Sequence, residues 1–246
     1  MKKILIGNWK MNPKSATIAR KIVSDVKKSS AKSKAEIVIC PPAPFIHLIG
    51  GKIKRGAQDV SVEKEEGAFT GEVSANQLKS IGASYAIVGH SERRARGETS
   101  LIVAKKAFAA LASSISPLIC IGEKERHHDG SHWSEIKKQM HESLKGVKRA
   151  QISKCIIVYE PVWAISTHNK GVMRTEDVNE SSIFVRKVLA EMFGSKLASK
   201  TRIIYGGSVD AKNAPELAEV SGISGVLVGR ASLKGAEFAK IVSAFS

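Results

Sequence analysis

Side chains that could move a proton stand just after three separate apolar runs in this chain of 246 residues. They are Asn8 and Lys10 after the first run, His90 after the fourth and Glu160 after the sixth. A carboxylate can remove a carbon-bound proton only where the negative charge that develops on oxygen is stabilised. A histidine can donate a hydrogen bond to that oxygen, and a lysine can supply positive charge. Together these residue types indicate proton abstraction next to a carbonyl group.

Two glycine-containing segments later in the chain predict a site for a phosphate group. Gly206 and Gly207 precede Ser208, and Gly229 precedes Arg230. Small residues let backbone N–H groups come close to a ligand, and the N-terminus of a following helix favours negative charge. The expected substrate is therefore a small phosphorylated molecule.

Each of these features also has an ordinary structural explanation. Lys10 could be a solvated charge and His90 a hydrogen-bonded part of the fold. Glu160, which precedes a proline, could stabilise a helix start through the local dipole. The segment 206–208 could be only a turn followed by a helix cap. Coincidence at five places is a poorer explanation than one shared site.

The apolar runs that precede these residues alternate with helical patterns. The runs lie at residues 4–6, 36–39, 56–58, 85–88, 117–121, 155–159, 202–205 and 225–228. Helical spacing of apolar residues occurs at 15–28, 101–111, 133–144, 176–193 and 214–220. Nearly uninterrupted apolar runs are typical of parallel strands that are covered on both faces. Eight strand–helix repeats predict an α/β fold, either a closed barrel or a doubly wound sheet.

The segment after the first run favours the closed (β/α)8 barrel, or TIM barrel, with eight parallel strands. A dinucleotide-binding sheet would carry GxGxxG there, whereas this chain reads GNWKMN at 7–12. No linker divides the chain, so a single domain over residues 1–246 is predicted. In such a barrel the active site lies at the carboxyl ends of the strands, and the loops after strands seven and eight frequently bind phosphate. All the residues named above would then lie on one rim.

The charge of the chain is strongly positive, with 39 basic and 23 acidic residues and a net charge of +16. Such a charge could attract nucleic acid or steer anionic substrates. The lysines are spread along the chain, and no RNP-like aromatic pattern, zinc finger or helix-turn-helix accompanies them. We expect a solvated surface, and nucleic acid is not an expected partner despite the charge.

Three cysteines, an odd number, argue against a disulfide framework. Cys40, Cys120 and Cys155 lie in or beside aliphatic runs, which predicts buried, reduced thiols and a cytoplasmic location. No cysteine or histidine spacing predicts a metal site. No apolar run approaches the roughly 18 residues of a membrane span, and the first run is too short for a leader segment.

Seven short motifs follow the predicted strand order. They are GNWKMN (7–12), GAFTGE (67–72), VGHSERR (88–94), CIGE (120–123), YEPVWA (159–164), YGGSV (205–209) and GVLVG (225–229). In combination they are highly specific, and with them the chain resembles the triosephosphate isomerase family over essentially its whole length. The resemblance implies interconversion of dihydroxyacetone phosphate and D-glyceraldehyde 3-phosphate, without a cofactor or metal, in glycolysis and gluconeogenesis.

The resemblance also implies a role for each residue on the rim. Glu160 would be the base that moves the proton between C1 and C2 of the substrate. His90 would be a neutral electrophile, and Lys10 and Asn8 would bind the substrate and stabilise the enediolate. Glu92 corresponds to a buried carboxylate that the family places near the lysine.

By the same resemblance, main-chain N–H groups hold the phosphate. They belong to Ser166, Ser208, Gly229 and Arg230. Residues 161–171 match a mobile lid whose closure excludes water and protects the intermediate. Trp163 in that segment could report closure, or it could simply be a core anchor. The loop from Phe69 to Glu72 would pack on a neighbouring subunit, which implies a homodimer.

The chain departs from the family pattern at three places. The lid reads AISTH at 164–168, where the family usually has AIGTG, so the second hinge is stiffer and His168 is strained if its φ is positive. Arg230 stands where a second glycine is usual. The segment 94–99 is one residue short and lacks the usual aromatic residue, which affects the expected subunit interface.

Two other functions are compatible with parts of the sequence. One is another phosphate-binding barrel isomerase whose substrate has a different size, although the lid motif argues against it. The other is a basic barrel that only binds nucleic acid or a surface. A pure scaffold would not need Asn8, Lys10, His90 and Glu160 together.

Overall fold

Eight parallel strands form a closed barrel in chain order, and the last strand pairs with the first. The computed structural model describes residues 1–29, 31–127, 129–165 and 173–246. The strands are β1 (Ile4–Asn8), β2 (Glu36–Cys40), β3 (Lys54–Ala57), β4 (Ala83–Val88), β5 (Ser116–Ile121), β6 (Ile156–Tyr159), β7 (Arg202–Tyr205) and β8 (Gly225–Val228). The predicted α/β barrel is therefore confirmed.

Helices surround the barrel and connect consecutive strands. They are α1 (Ala16–Ser29), α2 (Ala75–Ser80), α3 (Ser91–Arg94), α4 (Ser100–Ala112), α5 (His132–Ser143), α6 (Thr175–Phe193), α7 (Ser195–Ala198), α8 (Ala214–Glu219) and α9 (Gly235–Ala244). Short 3-10 helices lie at Ala43–Leu48, Arg149–Lys154, Val162–Ala164 and Arg230–Leu233. No helix in the described part of the chain is both long enough and apolar enough to cross a bilayer.

Alternate residues of most strands face two different cores. Ile4 and Ile6 point into the barrel, where they belong to a cluster with Leu118 and Val158. Leu5, between them, points outward into the larger core between the strands and the helices. Both faces of the sheet are thus covered, which explains why the strands are almost wholly apolar.

The amino end of the barrel is closed by a small polar cluster. Arg202 donates a hydrogen bond to Glu36 (2.8 Å), and the Tyr85 hydroxyl donates to the same carboxylate (2.6 Å). Burial and the Glu36 carboxylate raise the pKa of Tyr85 to about 12. A partly buried ion pair thus lies at this end of the barrel, and the pocket described below lies at the carboxyl end.

The predicted elements match the structure closely, with two informative differences. The third strand was expected at 56–58 but spans Lys54–Ala57, because Arg55 satisfies loop carbonyls at Ile49 and Ile81 while its backbone joins the sheet. Helix α9 was not predicted. It begins at Gly235, a poor helix former, at a point where a Cβ would lie 2.3 Å from the Cβ of Asp25.

Candidate active site

One pocket at the carboxyl end of the barrel collects residues from five strand ends. The predicted residues among its lining are Asn8, Lys10, His90, Glu160, Ser208, Gly229 and Arg230. Since these residues are up to 222 positions apart, only the closure of the barrel brings them together. The expectation that they share one rim is therefore met by the described structure. Ser166 lies outside the described residues.

Glu160 and His90 form a buried pair at the floor of this pocket. The imidazole Nε2 lies 2.9 Å from Glu160 Oε1, and the backbone N–H of Ser91 donates to Oε2 (2.9 Å). Burial raises the pKa of Glu160, whereas His90, the Ser91 N–H and Lys10 lower it, and the balance lies below the ordinary value. The carboxylate is therefore ionised and can accept a proton.

The protonation of His90 is fixed by what its second nitrogen contacts. Nδ1 accepts a hydrogen bond from the backbone N–H of Glu92 (3.2 Å), so the ring proton is assigned to Nε2. Burial lowers the pKa of His90 while Glu160 raises it, and the balance lies above the ordinary value. A second proton on Nδ1 would nevertheless face the N–H of Glu92. We therefore assign a neutral ring whose Nε2–H donates into the pocket.

Lys10 reaches the pocket from an unusual backbone conformation. Its φ is +51°, which is rare for a residue with a side chain. Its N–H donates to the Asn8 side chain (3.0 Å), and its carbonyl accepts a hydrogen bond from the Gln58 amide (2.8 Å). These contacts fix the turn that directs the ammonium group toward the other rim residues.

The Lys10 ammonium donates to Glu92 Oε1 at 2.7 Å. The expected proximity of this carboxylate to the lysine is therefore met. The expectation that Glu92 is buried is wrong for the single chain, because its side chain is 50% exposed. Glu92 stands in the first turn of the short helix α3, and its side chain faces outward.

The glycine-containing turns form the opposite wall of the pocket. A Cβ built on Gly229 would lie 3.8 Å from Lys10 Cε, and one on Gly206 would lie 3.5 Å from Glu160 Cβ. A Cβ on Gly207 would overlap the hydroxyl of Tyr205. The turns therefore approach the acid–base residues closely, and Gly207 is required by packing as well.

The N–H groups expected to bind phosphate are not all free. Those of Gly229 and Arg230 donate to no other residue in the described ranges. The N–H of Ser208 donates to the carbonyl of Ala164 (3.2 Å), and its hydroxyl donates to the same oxygen (2.8 Å). Ser208 can therefore bind an anion through its N–H only after it releases Ala164.

The first part of the predicted lid, residues 161–165, is tied to the strand β5 loop. The Trp163 indole and the Tyr159 hydroxyl both donate to Glu123 Oε1, at 3.0 and 2.9 Å. Glu123 is fully buried, and its second oxygen has no partner among the described residues. The rest of the lid, including Ser166 and His168, lies outside the described residues.

Three residues of the site were not predicted as functional from the sequence. Gln58 follows strand β3 and Glu123 follows strand β5, so the same search of strand ends could have found both. Glu98 accepts a hydrogen bond from the N–H of Gly89, next to His90, at 2.8 Å. No strand-end pattern marks Glu98, because it lies nine residues further along the chain.

Buried thiols were predicted for Cys40, Cys120 and Cys155, and all three are buried and free. Burial raises the pKa of each, to about 12 for Cys155. They are therefore protonated and poorly nucleophilic. No group of three or more His, Cys, Asp or Glu side chains in the described part of the chain is placed to hold a metal ion.

The class of protein follows from the fold and the pocket: it is a (β/α)8 barrel with a candidate acid–base site at the carboxyl ends of its strands. This site combines a buried glutamate, an adjacent histidine, a lysine and two glycine turns. Comparison with known proteins gives the family. A family model described as Triosephosphate isomerase matches residues 3–245. The chain belongs to the triosephosphate isomerase family.

Individual relatives agree over nearly the full length of the chain. A triosephosphate isomerase of Rhodopirellula baltica is 42% identical over 252 residues, which cover 98% of this chain and 96% of that protein. One of Coprinopsis cinerea is 43% identical, covering 97% of this chain and 96% of that protein. One of Thermoanaerobacter pseudethanolicus is 41% identical, covering 98% of both.

Proposed function

We propose that this enzyme interconverts dihydroxyacetone phosphate and D-glyceraldehyde 3-phosphate by proton transfer through an enediolate. The observation that carries the proposal is the contact between His90 Nε2 and Glu160 Oε1 at 2.9 Å, on a rim shared with Lys10. An ionised base beside a neutral hydrogen-bond donor is what abstraction of a carbon-bound proton requires. The activity is that of an aldose–ketose isomerase, which serves glycolysis and gluconeogenesis.

Glu160 takes the proton from one carbon and returns it to the neighbouring carbon. The negative charge then develops on the two substrate oxygens. His90 donates its Nε2–H to these oxygens, Lys10 supplies positive charge, and Asn8 contacts the adjacent oxygen. The hydroxyl proton must also pass from one substrate oxygen to the other, so that the former carbonyl becomes a hydroxyl and the former hydroxyl becomes a carbonyl. Because both protons leave and return within one substrate molecule, the reaction is balanced without an oxidant, a metal or a cofactor.

The base must leave its present partners before it can act. Both Glu160 oxygens accept hydrogen bonds, one from His90 and one from the Ser91 N–H. These bonds stabilise the carboxylate and keep it a weak base. A substrate oxygen that takes the Nε2–H of His90 removes one of them, so binding itself increases the basicity of Glu160.

The phosphate group is held by backbone N–H groups of Ser166, Ser208, Gly229 and Arg230. For Ser208, this requires breaking its hydrogen bonds to the carbonyl of Ala164. Since Ala164 is in the lid motif, phosphate binding at Ser208 releases the lid at this point. Binding and lid movement are thereby coupled.

The surroundings of the enzyme follow the same proposal. The chain acts as a single domain of residues 1–246 in the cytoplasm and forms a homodimer through the loop from Phe69 to Glu72. Phe69 is 43% exposed, which suits a contact with a second copy. The net charge of +16 suits an anionic substrate and does not require nucleic acid as a partner.

A coupled assay of dihydroxyacetone phosphate formation tests the proposal, with Glu160→Asp as the key variant. The shorter side chain withdraws the carboxylate by about one ångström, so kcat should fall at least about a hundredfold while KM stays within a few-fold. Circular dichroism and thermal melting show whether the variant is folded. If folded Glu160→Asp has the kcat of the wild type, Glu160 is not the base. If the wild type prefers longer aldose phosphates to glyceraldehyde 3-phosphate, the proposed substrate is wrong.

A further inference from the structure

Arg230 places a guanidinium group on the edge of the catalytic pocket. It lines the same pocket as Lys10, Ser208 and Gly229. The residue is exposed, and within the described ranges its side chain makes no hydrogen bond or ion pair. It is a cation beside an anion-binding wall with no protein partner in the described structure.

The acidic groups on this edge are already engaged. Asp210 Oδ1 accepts hydrogen bonds from the backbone N–H groups of Lys212 (2.8 Å) and Asn213 (3.0 Å), which stabilise its own turn. Glu237 pairs with Lys234 at 3.6 Å. Neither carboxylate forms an ion pair with Arg230, so the positive charge of Arg230 remains available to a ligand.

The backbone that carries Arg230 is firmly held. Ser232 is fully buried, and its N–H and hydroxyl both donate to the carbonyl of Gly229, at 2.9 and 2.7 Å. These bonds close the turn at the start of the 3-10 helix Arg230–Leu233. The Cα of Arg230 therefore has a fixed position next to Gly229, whose N–H faces no protein acceptor among the described residues.

We propose that the Arg230 guanidinium binds the phosphate group of the substrate directly, in addition to the backbone N–H groups. The planar guanidinium offers paired donors that match phosphate oxygens, and an ionised donor and acceptor form a strong hydrogen bond. The proposal deepens the proposed function and rests on it for the identity of the phosphorylated ligand. A glycine at this position, as is usual in the family, would provide the N–H but not this charge.

The consequence is a preference for ligands that carry a phosphate dianion. The contact lies at the mouth of the pocket, so its strength depends on salt and stays modest. Removal of the guanidinium should weaken phosphate binding about twofold to fivefold, which corresponds to up to about 1 kcal/mol. The substitution leaves the backbone N–H of residue 230 in place, so this donor can still bind the phosphate.

The first test measures binding of inorganic phosphate to Arg230→Ala, Arg230→Lys and wild type by isothermal titration calorimetry at low and high salt. The dissociation constant should rise about twofold to fivefold in Arg230→Ala, less in Arg230→Lys, and the difference should shrink at high salt. Arg20→Ala removes an exposed arginine of α1 that does not line the pocket, and it serves as the control for loss of one charge.

The second test compares glyceraldehyde 3-phosphate with glyceraldehyde, which lacks phosphate. The ratio of their kcat/KM values should fall in Arg230→Ala. A loss shared equally by both substrates would indicate a structural effect and overturn the proposal. So would unchanged phosphate affinity in Arg230→Ala, or no measurable phosphate binding by wild type.

These results separate the two proposals. If wild type binds phosphate through Arg230 but does not isomerise triose phosphates, the proposed function is wrong and the anion contact stands. If wild type isomerises triose phosphates and Arg230→Ala matches it in phosphate affinity, the proposed function stands and this inference is wrong.

Discussion

At the residue scale, the site depends on a lysine held in a backbone conformation that its side chain disfavours. The positive φ of Lys10 costs roughly 1–3 kcal/mol and persists only where neighbouring groups fix it. Gln58 provides this restraint, since its amide donates to the carbonyls of Lys10 and Cys40, both at 2.8 Å. One partly buried amide thus joins the strained turn to strand β2.

Replacement of Gln58 by leucine should therefore lower both the stability of the protein and its catalytic efficiency. The two lost hydrogen bonds should reduce the free energy of unfolding by about 1–3 kcal/mol. The Lys10 ammonium should shift as its turn relaxes, and kcat/KM should fall about ten- to a hundredfold. Steady-state kinetics and urea unfolding measure the two effects separately.

Gln77→Leu is the matched control for this prediction. Gln77 belongs to the capping box of α2 and does not line the catalytic pocket. Its replacement should lower stability with little change in kcat/KM. If Gln58→Leu also retains kcat/KM within twofold of wild type, Gln58 does not position Lys10.

The sequence predicts the candidate catalytic residues but not the hydrogen bonds that position them. Asn8, Lys10, His90 and Glu160 are recognisable because their chemistry and their positions at strand ends are local properties. The donor to His90 Nδ1 and the restraint on Lys10 depend on side-chain geometry. Gln58 lies 48 residues from Lys10, and no spacing rule connects the two.

At the element scale, helix α4 holds the end of strand β4 through a cluster of charges. Lys106 on α4 donates to Glu98 (2.6 Å) and to Asp59 (2.7 Å), and only 4% of Lys106 is exposed. Glu98 in turn accepts from the N–H of Gly89, the residue before His90. The position of His90 therefore depends on a lysine that neutralises two carboxylates.

Lys106→Met should be destabilising because it removes the buried cation from Glu98 and from the partly buried Asp59. The half-exposed Arg93 is then the remaining positive partner of both carboxylates. Breaking one partner of a buried ion pair typically costs about 3–5 kcal/mol. Urea unfolding at neutral pH measures the loss. The exposed neighbour Lys105 gives the control Lys105→Met, which should change stability by no more than about 0.5 kcal/mol.

The pH dependence of this difference gives a sharper test. Burial raises the pKa of Glu98, but Lys106 and the Gly89 N–H lower it, and the balance lies below the ordinary value. A depressed folded-state pKa stabilises the protein above the unfolded-state pKa, and this stability is lost as pH falls through the folded value. Burial raises the pKa of Asp59, which has the opposite effect and offsets part of it.

Without Lys106, both carboxylates should gain protons more readily. The gap in stability between wild type and Lys106→Met should then narrow as the pH falls from neutral to about 4. A gap that stays constant over this range would mean that lost packing, not uncompensated charge, explains the destabilisation.

The bounds of a strand could be predicted from the sequence where the burial of its side chains alone determines them. Strands β7 and β8 begin and end at the predicted residues, because both faces of each are covered and the apolar run ends where the rim begins. Helices α3 and α7 are only four residues long and carry no periodic apolar pattern. They are determined by the turns beside them, which the sequence pattern does not predict.

At the scale of the whole molecule, apolar side chains remain exposed beside the active site. Met11 is 94% exposed and directly follows Lys10, whose side chain is only 25% exposed. A second pocket lies nearby, at the base of the loop 69–72, and includes Ile46, Val73 and Leu78 in its lining. In the proposed homodimer, we expect Met11 to insert into this pocket of the second copy, which would bury both apolar surfaces.

Met11→Asp should therefore convert the proposed dimer to monomers. Full burial of a methionine side chain contributes about 1.5–3 kcal/mol, and two-fold symmetry counts it twice. The dimer dissociation constant should rise roughly a hundredfold to ten-thousandfold. Sedimentation velocity over a range of protein concentrations measures this dissociation constant. The value of kcat/KM should fall on dissociation because the turn at Lys10 loses its contacts with the second copy.

Ile183→Asp tests whether any exposed apolar residue has this effect. Ile183 lies on α6 and is 60% exposed, but it is not part of either pocket. Ile183→Asp should leave the association unchanged.

The charge of the chain gives a further prediction for the dimer. Two chains of charge +16 repel each other, so added salt should tighten the wild-type dimer by screening that repulsion. If added salt weakens the dimer, ion pairs and not apolar contacts hold the two copies together. If the wild type is monomeric, or if Met11→Asp still dimerises, Met11 does not form this interface.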